Sequence, residues 1–362
     1  MSLPTSVNPR ARGSADNPPN RFEAQWIQLD EPLRDDDGNL IEPRTMFLRD
    51  DTQSILTYNE SPDILFKVGC SPYRGCEHGC AYCYARPTHE YLGFSAGLDF
   101  ETRIMVKERA PELLREALNK KTWHPQAVAM SGITDVYQPI ERRLGLTRKC
   151  LEVFAEFRNP VGIVTKNHLV TRDLDLFREL ARYNAINVSI SITTLDGELS
   201  KVLEPRASRP SRRLEAVREL SAAGIPVSVL TAPIIPGLND HEIPSLLKAA
   251  AHAGARGAGY TIVRLPHGVA PLFEMWLERH RPGEQEKILG RIRELRGGKL
   301  YKADFGTRMR GEGPLADQIK AFFEVSKRKA GFRGDNAAVN NITDNLSAAH
   351  FRRPSAQMEL FG

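Results

Sequence analysis

The sequence predicts an α/β fold: a partial (β/α)6 barrel of TIM type with C-terminal helices and flexible termini. Three observations predict it. Short apolar runs alternate with stretches of helical periodicity through about six units between Asp63 and Leu265. The runs are continuous rather than alternating in polarity, as expected of parallel strands whose outer faces are covered by helices. Strand signals stop near Leu265, too early for eight strands, so the barrel is expected to stay open.

Residues 1–60 carry no regular period. Pro18-Pro19, an acidic run at Asp35–Asp37 and scattered arginines mark a leader that wraps the surface or is partly disordered. The barrel is expected over residues 61–266. Ile64–Val68, between Pro62 and Gly69, reads as its first strand. Ala110–Lys120 has apolar residues at helix spacing, and Ala127–Ser131 is a strand ending at Gly132. The helix Thr147–Phe157 leads to the strand Val161–Thr165. Thr171 suits the cap of a helix reaching Arg182, with Asp173 and Asp175 in the first turn, where the dipole favours them. Ile186–Ile192 is β-rich and ends in Thr193-Thr194. The helix Ser211–Ala223 stops at Gly224, and the strand Val227–Ile235 at Pro236-Gly237. His241–Ala253 is helical and Tyr260–Leu265 is the last strand. Residues 267–330 read as a helical extension, and 331–362, turning to Asn, Ala, Ser, Asp and Arg, as a flexible tail.

With 41% hydrophobic and 26% charged residues, the 362-residue chain can build one large α/β domain with flanking segments, or two modest domains. Fifty basic and 45 acidic residues give a net charge of +5, which permits a polyanionic partner without arguing for one. No run approaches the ~18 apolar residues that a bilayer-spanning helix needs. Met1–Asn20 lacks the apolar core of a signal peptide, so a cytoplasmic location is expected. Five cysteines are too few for a disulfide framework, and four lie between Cys70 and Cys83. In a reducing compartment that clustering points to metal or redox chemistry.

The cluster reads Gly75-Cys76-Glu77-His78-Gly79-Cys80-Ala81-Tyr82-Cys83-Tyr84. Three soft thiolates on one short loop suit an iron–sulfur cluster. Three ligands leave one iron of a [4Fe–4S] cube open to a small molecule, whereas a structural zinc site is closed by four. Gly75 and Gly79 let the backbone approach the cluster. The same residues allow a zinc knuckle completed by Cys70 or His78. Cys70 and Cys150 otherwise read as small buried apolar side chains.

This run resembles the signature of the radical S-adenosylmethionine (SAM) superfamily, Tyr82 included. The resemblance implies a [4Fe–4S] cluster on Cys76, Cys80 and Cys83, and SAM chelated at the open iron with its adenine near Tyr82. It also implies reductive cleavage of SAM to a 5′-deoxyadenosyl radical, and an electron donor such as flavodoxin or ferredoxin. Within the superfamily the chain is similar to the spore photoproduct lyase branch. The residues that carry this are Pro72–Ala85, Thr134-Asp135-Val136-Tyr137-Gln138-Pro139, Thr165-Lys166-Asn167, Ser189-Ile190-Ser191, Leu203-Glu204-Pro205-Arg206 and Ala232–Gly237, spread over most of residues 63–265.

That similarity implies SAM contacts from Thr134, Lys166 and Ser189 at strand ends, Lys166 and Ser189 engaging the carboxylate. Arg206 would pair with that carboxylate or with Glu204. Read without the resemblance, Lys166 is a solvated loop lysine, Ser189 a strand hydroxyl bonding backbone, and Thr134 a turn residue. Tyr84 matches the aromatic that partners a hydrogen-donating cysteine in the lyase. Gly132 stands where that cysteine would be, so the lyase's thymine-dimer reversal is not carried over, and a different substrate is expected.

The chain ends Gln357-Met358-Glu359-Leu360-Phe361-Gly362. This resembles the short peptide that docks bacterial polymerases and repair proteins on the replication sliding clamp. Gln357 would offer its amide, and Leu360 with Phe361 would fill an apolar pocket. The alternative is a tail folded back as a hydrophobic latch. Together these readings predict a radical SAM enzyme acting on nucleic acid, in a DNA-repair role, with the arginines of 206–213 either near phosphates or serving as helix-surface charges. A radical SAM enzyme for a protein or small molecule, and a non-enzymatic iron–sulfur or zinc module, are the alternatives.

Overall fold

The structure, a computed structural model, describes residues 12–14, 17, 21–22, 44–64, 66–332, 343 and 345–354. Its strands are β1 (Met46–Arg49), β2 (Leu56–Tyr58), β3 (Val68–Cys70), β4 (Tyr73–Arg74), β5 (Arg103–Val106), β6 (Val128–Met130), β7 (Val161–Thr165), β8 (Ile186–Ser191), β9 (Val227–Ile234) and β10 (Gly257–Ile262). Helix α1 (Leu98–Thr102) precedes β5, and α2 (Ala110–Asn119) leads from β5 to β6. Then come α3 (Glu141–Leu144), α4 (Leu146–Phe157), α5 (Leu174–Ala181), α6 (Gly197–Leu203), α7 (Pro210–Ala222) and α8 (Ile243–His252). After β10 follow α9 (Val269–His280), α10 (Gln285–Glu294) and α11 (Pro314–Lys329).

The larger sheet runs β10-β9-β8-β7-β6-β3-β2. Its six strands from β3 to β10 are parallel and in chain order, and β2 adds antiparallel at one edge. Repeated helical crossovers of one hand produce that order, and the sheet stops at β10 and β2 without closing. The open (β/α)6 barrel is therefore the fold observed.

Register explains the two faces of the sheet, because paired residues on neighbouring parallel strands share a face. Cys70, Met130, Ile163, Val188 and Val227 form one such row, each at most 1% exposed, within the core that also takes in the apolar faces of the helices. The alternate rows hold Gly69, Ala129, Gly162 and Asn187, and then Val164, Ser189, Ser228 and Gly257. The helix-facing row is thus uniformly apolar, and the opposite rows are rich in small and hydroxyl residues.

The observed elements correct some expected bounds. The first barrel strand is Val68–Cys70, not Ile64–Val68, because Asn59 Nδ2 donates to the carbonyls of Ile64 (3.4 Å) and Phe66 (3.1 Å) and holds that stretch in a turn. The last is Gly257–Ile262, whose Gly-Ala-Gly start pairs with Ser228, Val229 and Leu230 of β9. Before α5 a 3-10 turn, His168–Asp173, takes Asn167 rather than Thr171 as its cap. Helix α6 was not expected; Asp196 Oδ1 accepts from the backbone of Glu198 (2.8 Å) and Leu199 (3.1 Å) at its start.

Both expected flexible termini contain ordered parts. Residues 44–58 of the leader carry β1, which runs parallel to β5 in a three-stranded sheet β1-β5-β4, and β2. In the C-terminal tail, Ser347 N donates to Asn184 O and Arg352 N to Phe157 O, both at 2.9 Å. Arg353 donates to the carbonyls of Lys120 and Trp123. Helix C-termini leave carbonyls without partners, and those ending α2 and α4 are met in this way. Gln357, Leu360 and Phe361 lie outside the described residues. Among the described residues no helix is long and apolar enough to cross a membrane.

Between α10 and α11 the helical extension is interrupted over residues 297–313, where Gly297, Gly298, Gly306, Gly311 and Gly313 all adopt positive φ. This strap crosses the end of β10, where Ile262 N donates to Met309 O at 2.9 Å. It also reaches the turn between β2 and β3: Asp63 accepts from Gly306 N (2.7 Å) and Arg308 Nε (2.6 Å). The strap therefore bridges the open side of the barrel.

Candidate functional site

Strand β4 delivers the chain to Gly75, and the loop with Cys76, Cys80 and Cys83 packs on segments that follow β6, β7 and β8. Nearly every residue of it is tied down. Gly75 O accepts from Thr134 Oγ1 (2.5 Å) and Gln138 Nε2 (3.2 Å). Glu77 accepts from Ile140 N (2.8 Å), pairs with Arg206 (3.0 Å), and its own N–H donates to Gln138 Oε1 (2.9 Å). Arg86, fully buried, donates to Cys80 O, and Ala81 N to Leu203 O. Gly75 and Gly79 have φ of +79° and +66°; a Cβ on Gly79 would stand 2.6 Å from Glu101 Oε2. Such a loop admits only glycine at these turns.

His78 is 1% exposed, with Nδ1 3.3 Å from Asp135 Oδ2 and Nε2 3.3 Å from Asn167 Nδ2. Asp135 accepts in addition from Lys166 N, Thr165 Oγ1 and Tyr137 N. Burial alone would raise the Asp135 carboxyl, but His78 and these donors hold it below its ordinary range.

A second group lies beneath the loop. Glu204, fully buried, pairs with Arg213 and with Lys166 Nζ (3.2 Å), and accepts from Tyr82 OH and Thr193 Oγ1 (2.5 Å). Burial opposes its charge, yet Arg213 and then Lys166 hold its carboxyl well below the usual carboxylate range. Lys166 Nζ also donates to Ser191 Oγ (2.7 Å) and Ala232 O (3.1 Å), and lies 5.6 Å from the centre of the Tyr82 ring. The ammonium and the aromatic ring are thus fixed together by one carboxylate.

The residues expected to contact a ligand fall into three groups. Tyr82 and Lys166 meet at the Glu204 group. Ser189 lies on β8, 1% exposed, and its Oγ has no hydrogen-bond partner, an expensive state for a buried hydroxyl unless something else meets it. Thr134 and Arg206 hold the cysteine loop, through Gly75 O and Glu77, and Arg206, which also donates to Thr45 Oγ1 at 3.4 Å, does not pair with Glu204. Arg213 joins Lys166 on Glu204 and is fully buried, so it is not one of the arginines of 206–213 that lie free for phosphates. Its signal was position: Arg213 falls at helix spacing from Ala216, Val217 and Leu220, the buried stripe of α7. Tyr84 is 46% exposed; its hydroxyl donates to Gly132 O at 2.7 Å, and Arg264 stacks over its ring at 4.3 Å.

The donor set fits a cluster with an open iron better than a closed zinc site. All five cysteines are free thiols. Burial pushes the thiols of Cys76, Cys80 and Cys83 up, so the thiolates need a metal's charge beside them. Of the possible fourth ligands, His78 has both ring nitrogens engaged. Cys70, 1% exposed, is held within β3 in register with Leu56 and Met130.

The model of the radical SAM superfamily matches residues 70–250. An uncharacterised protein of Mycobacterium tuberculosis is 36% identical over 232 residues, spanning 64% of this chain and 67% of that protein. The radical SAM Nalpha-GlyT isomerase of Pseudomonas phage M6 is 29% identical over 173 residues, 47% of this chain and 34% of the phage protein. In fold the chain is similar to spore photoproduct lyase complexed with dinucleoside spore photoproduct, with a TM-score of 0.55, 16% identity and 78% of each chain covered.

Proposed function

The chain belongs to the radical SAM superfamily, whose cofactors are a [4Fe–4S] cluster and SAM, and from that premise we propose that it is a radical SAM enzyme acting on nucleic acid. Cys76, Cys80 and Cys83 would hold the cluster, and Tyr82, Lys166 and Ser189 would receive SAM. Bound there and given one electron by a reductant, the two cofactors would release methionine and supply a 5′-deoxyadenosyl radical able to take a hydrogen atom from the substrate.

The observation that carries this reading is the three-thiol loop whose candidate fourth ligands are held elsewhere, His78 by Asp135 and Asn167, and Cys70 buried in strand β3. The chain's own residues do the positioning. Glu204 fixes Lys166 and Tyr82 relative to one another, the unmet Ser189 hydroxyl is a donor ready for a carboxylate, and Arg206, through Glu77, restrains the loop. The lyase bound to a dinucleoside photoproduct supports nucleic acid as the substrate, as does the clamp-like Gln357, Leu360 and Phe361 at the chain's end.

A second reading keeps the chemistry and changes the substrate to a protein or small molecule. Gly132 favours it: φ there is +118°, and an added Cβ would meet only Phe66 Cζ at 3.7 Å, so no side chain fills the place of the lyase's donor cysteine. Reconstituted protein with SAM, dithionite and undamaged or ultraviolet-irradiated oligonucleotides separates the two. Formation of 5′-deoxyadenosine that rises with an oligonucleotide is expected. Formation that no oligonucleotide alters would move the substrate to the second reading.

A further inference from the structure

The cations around the mouth of the barrel are nearly all neutralised. Lys166 and Arg213 share Glu204, Arg206 has Glu77, Lys302 has Glu312 at 2.9 Å and Arg308 has Asp63 at 2.6 Å. Arg264 is different. It follows β10 directly, is half-buried, and has no ion pair or hydrogen bond to any of the described residues; its guanidinium instead lies over Tyr84, the residue after Cys83. Arg296, 1% exposed, donates to Val263 O (2.8 Å) and Thr307 O (3.1 Å), while its Nε is buried with no partner and no carboxylate among the described residues pairs with it. Burial and then the charge of Arg264 lower its pKa to about 10. Two neighbouring guanidiniums, one buried, without a carboxylate are costly unless an anion joins them.

We propose that Arg264 and Tyr84 form a nucleotide subsite at the barrel mouth, in which a base stacks on the exposed face of Tyr84 and the adjoining phosphate is held by Arg264. The inference rests on the reading of the chain as a radical SAM enzyme for nucleic acid, and assigns two residues to its substrate. A guanidinium fork suits phosphate oxygens. The 46% exposure of the Tyr84 ring beside it gives a flat apolar face for a planar partner. A nucleotide presents both features one sugar apart; a peptide carboxylate presents only the charge. Tyr84 is anchored for this role through its hydroxyl on Gly132 O. Because it directly follows a cluster cysteine, a base resting on it lies next to the radical source.

The test is fluorescence anisotropy of a short labelled single-stranded oligothymidylate on the anaerobic, reconstituted enzyme, with Arg264→Gln, Arg264→Lys and an acidic peptide as a second probe. Arg264→Gln is expected to weaken oligonucleotide binding about tenfold and to reduce the salt dependence by about one phosphate contact. Arg264→Lys, which keeps the charge without the fork, should fall between the two. Equal binding by all three proteins, no oligonucleotide binding by the unmutated enzyme, or tighter binding of the peptide would each overturn the subsite. Failure of the parent reading is a separate result, the absence of 5′-deoxyadenosine from the unmutated enzyme.

Discussion

At the scale of single residues, the side chains that bind and those that position are separated by what they already touch. Thr134 is spent on the cysteine loop and Arg206 on that loop and Thr45, whereas the Ser189 hydroxyl has spent none. Ser189→Ala should therefore leave the melting temperature of the apoprotein unchanged or slightly raised, since it removes a buried, unmet hydroxyl. In the same variant SAM affinity, read by equilibrium dialysis on the reconstituted protein before reduction, should fall by about 1 kcal/mol, roughly fivefold. A lowered melting temperature with unchanged SAM affinity would make Ser189 a structural hydroxyl. The cysteines were legible because ligand spacing is local. The Glu204–Arg213 pair was not, since a buried ion pair nine positions apart across a helix start has no local pattern except Arg213's place on the apolar stripe of α7.

At the scale of elements, continuous apolar runs were the legible signal. Strand β7 has the bounds the sequence suggested, Val161–Thr165, because all five residues are apolar, small or β-branched. Strand β10 was displaced because its first three residues are Gly, Ala and Gly, which carry no hydrophobic run. The cysteine loop is the element on which function turns, and its shape depends on Gly79. Gly79→Ala places a side chain in a left-handed turn and 2.6 Å from Glu101 Oε2. Stability should fall by at least 1 to 2 kcal/mol, about the cost of the left-handed conformation alone. Iron bound per chain after reconstitution should fall with it. Full iron loading at an unchanged melting temperature would show that the loop does not need that conformation.

At the scale of the whole molecule, an open sheet has a flank that must be covered, and the strap supplies the cover. Five glycines in left-handed conformation give it its turns, and Asp63 latches it across the gap to residues about 245 positions away. The open barrel could be read from the order of apolar runs; the strap could not, because its closing contact lies between distant loops without a shared period. Asp63→Ala removes two hydrogen bonds, one of them to a guanidinium and worth about 1.5 to 3 kcal/mol. Amide hydrogen exchange should quicken across residues 299–311 while β7 and β8 keep their protection. Uniform quickening, or none, would contradict a separately latched strap.

The central claim is that Cys76, Cys80 and Cys83 hold a cluster with one iron open to SAM. Electron paramagnetic resonance of the anaerobically reconstituted, dithionite-reduced protein, recorded with and without SAM beside its iron and zinc content, tests it most directly. The account predicts about four irons per chain and a reduced [4Fe–4S] signal whose g-values shift when SAM is added. One zinc per chain, no cluster signal and no response to SAM would contradict it and leave a metal-stapled binding protein.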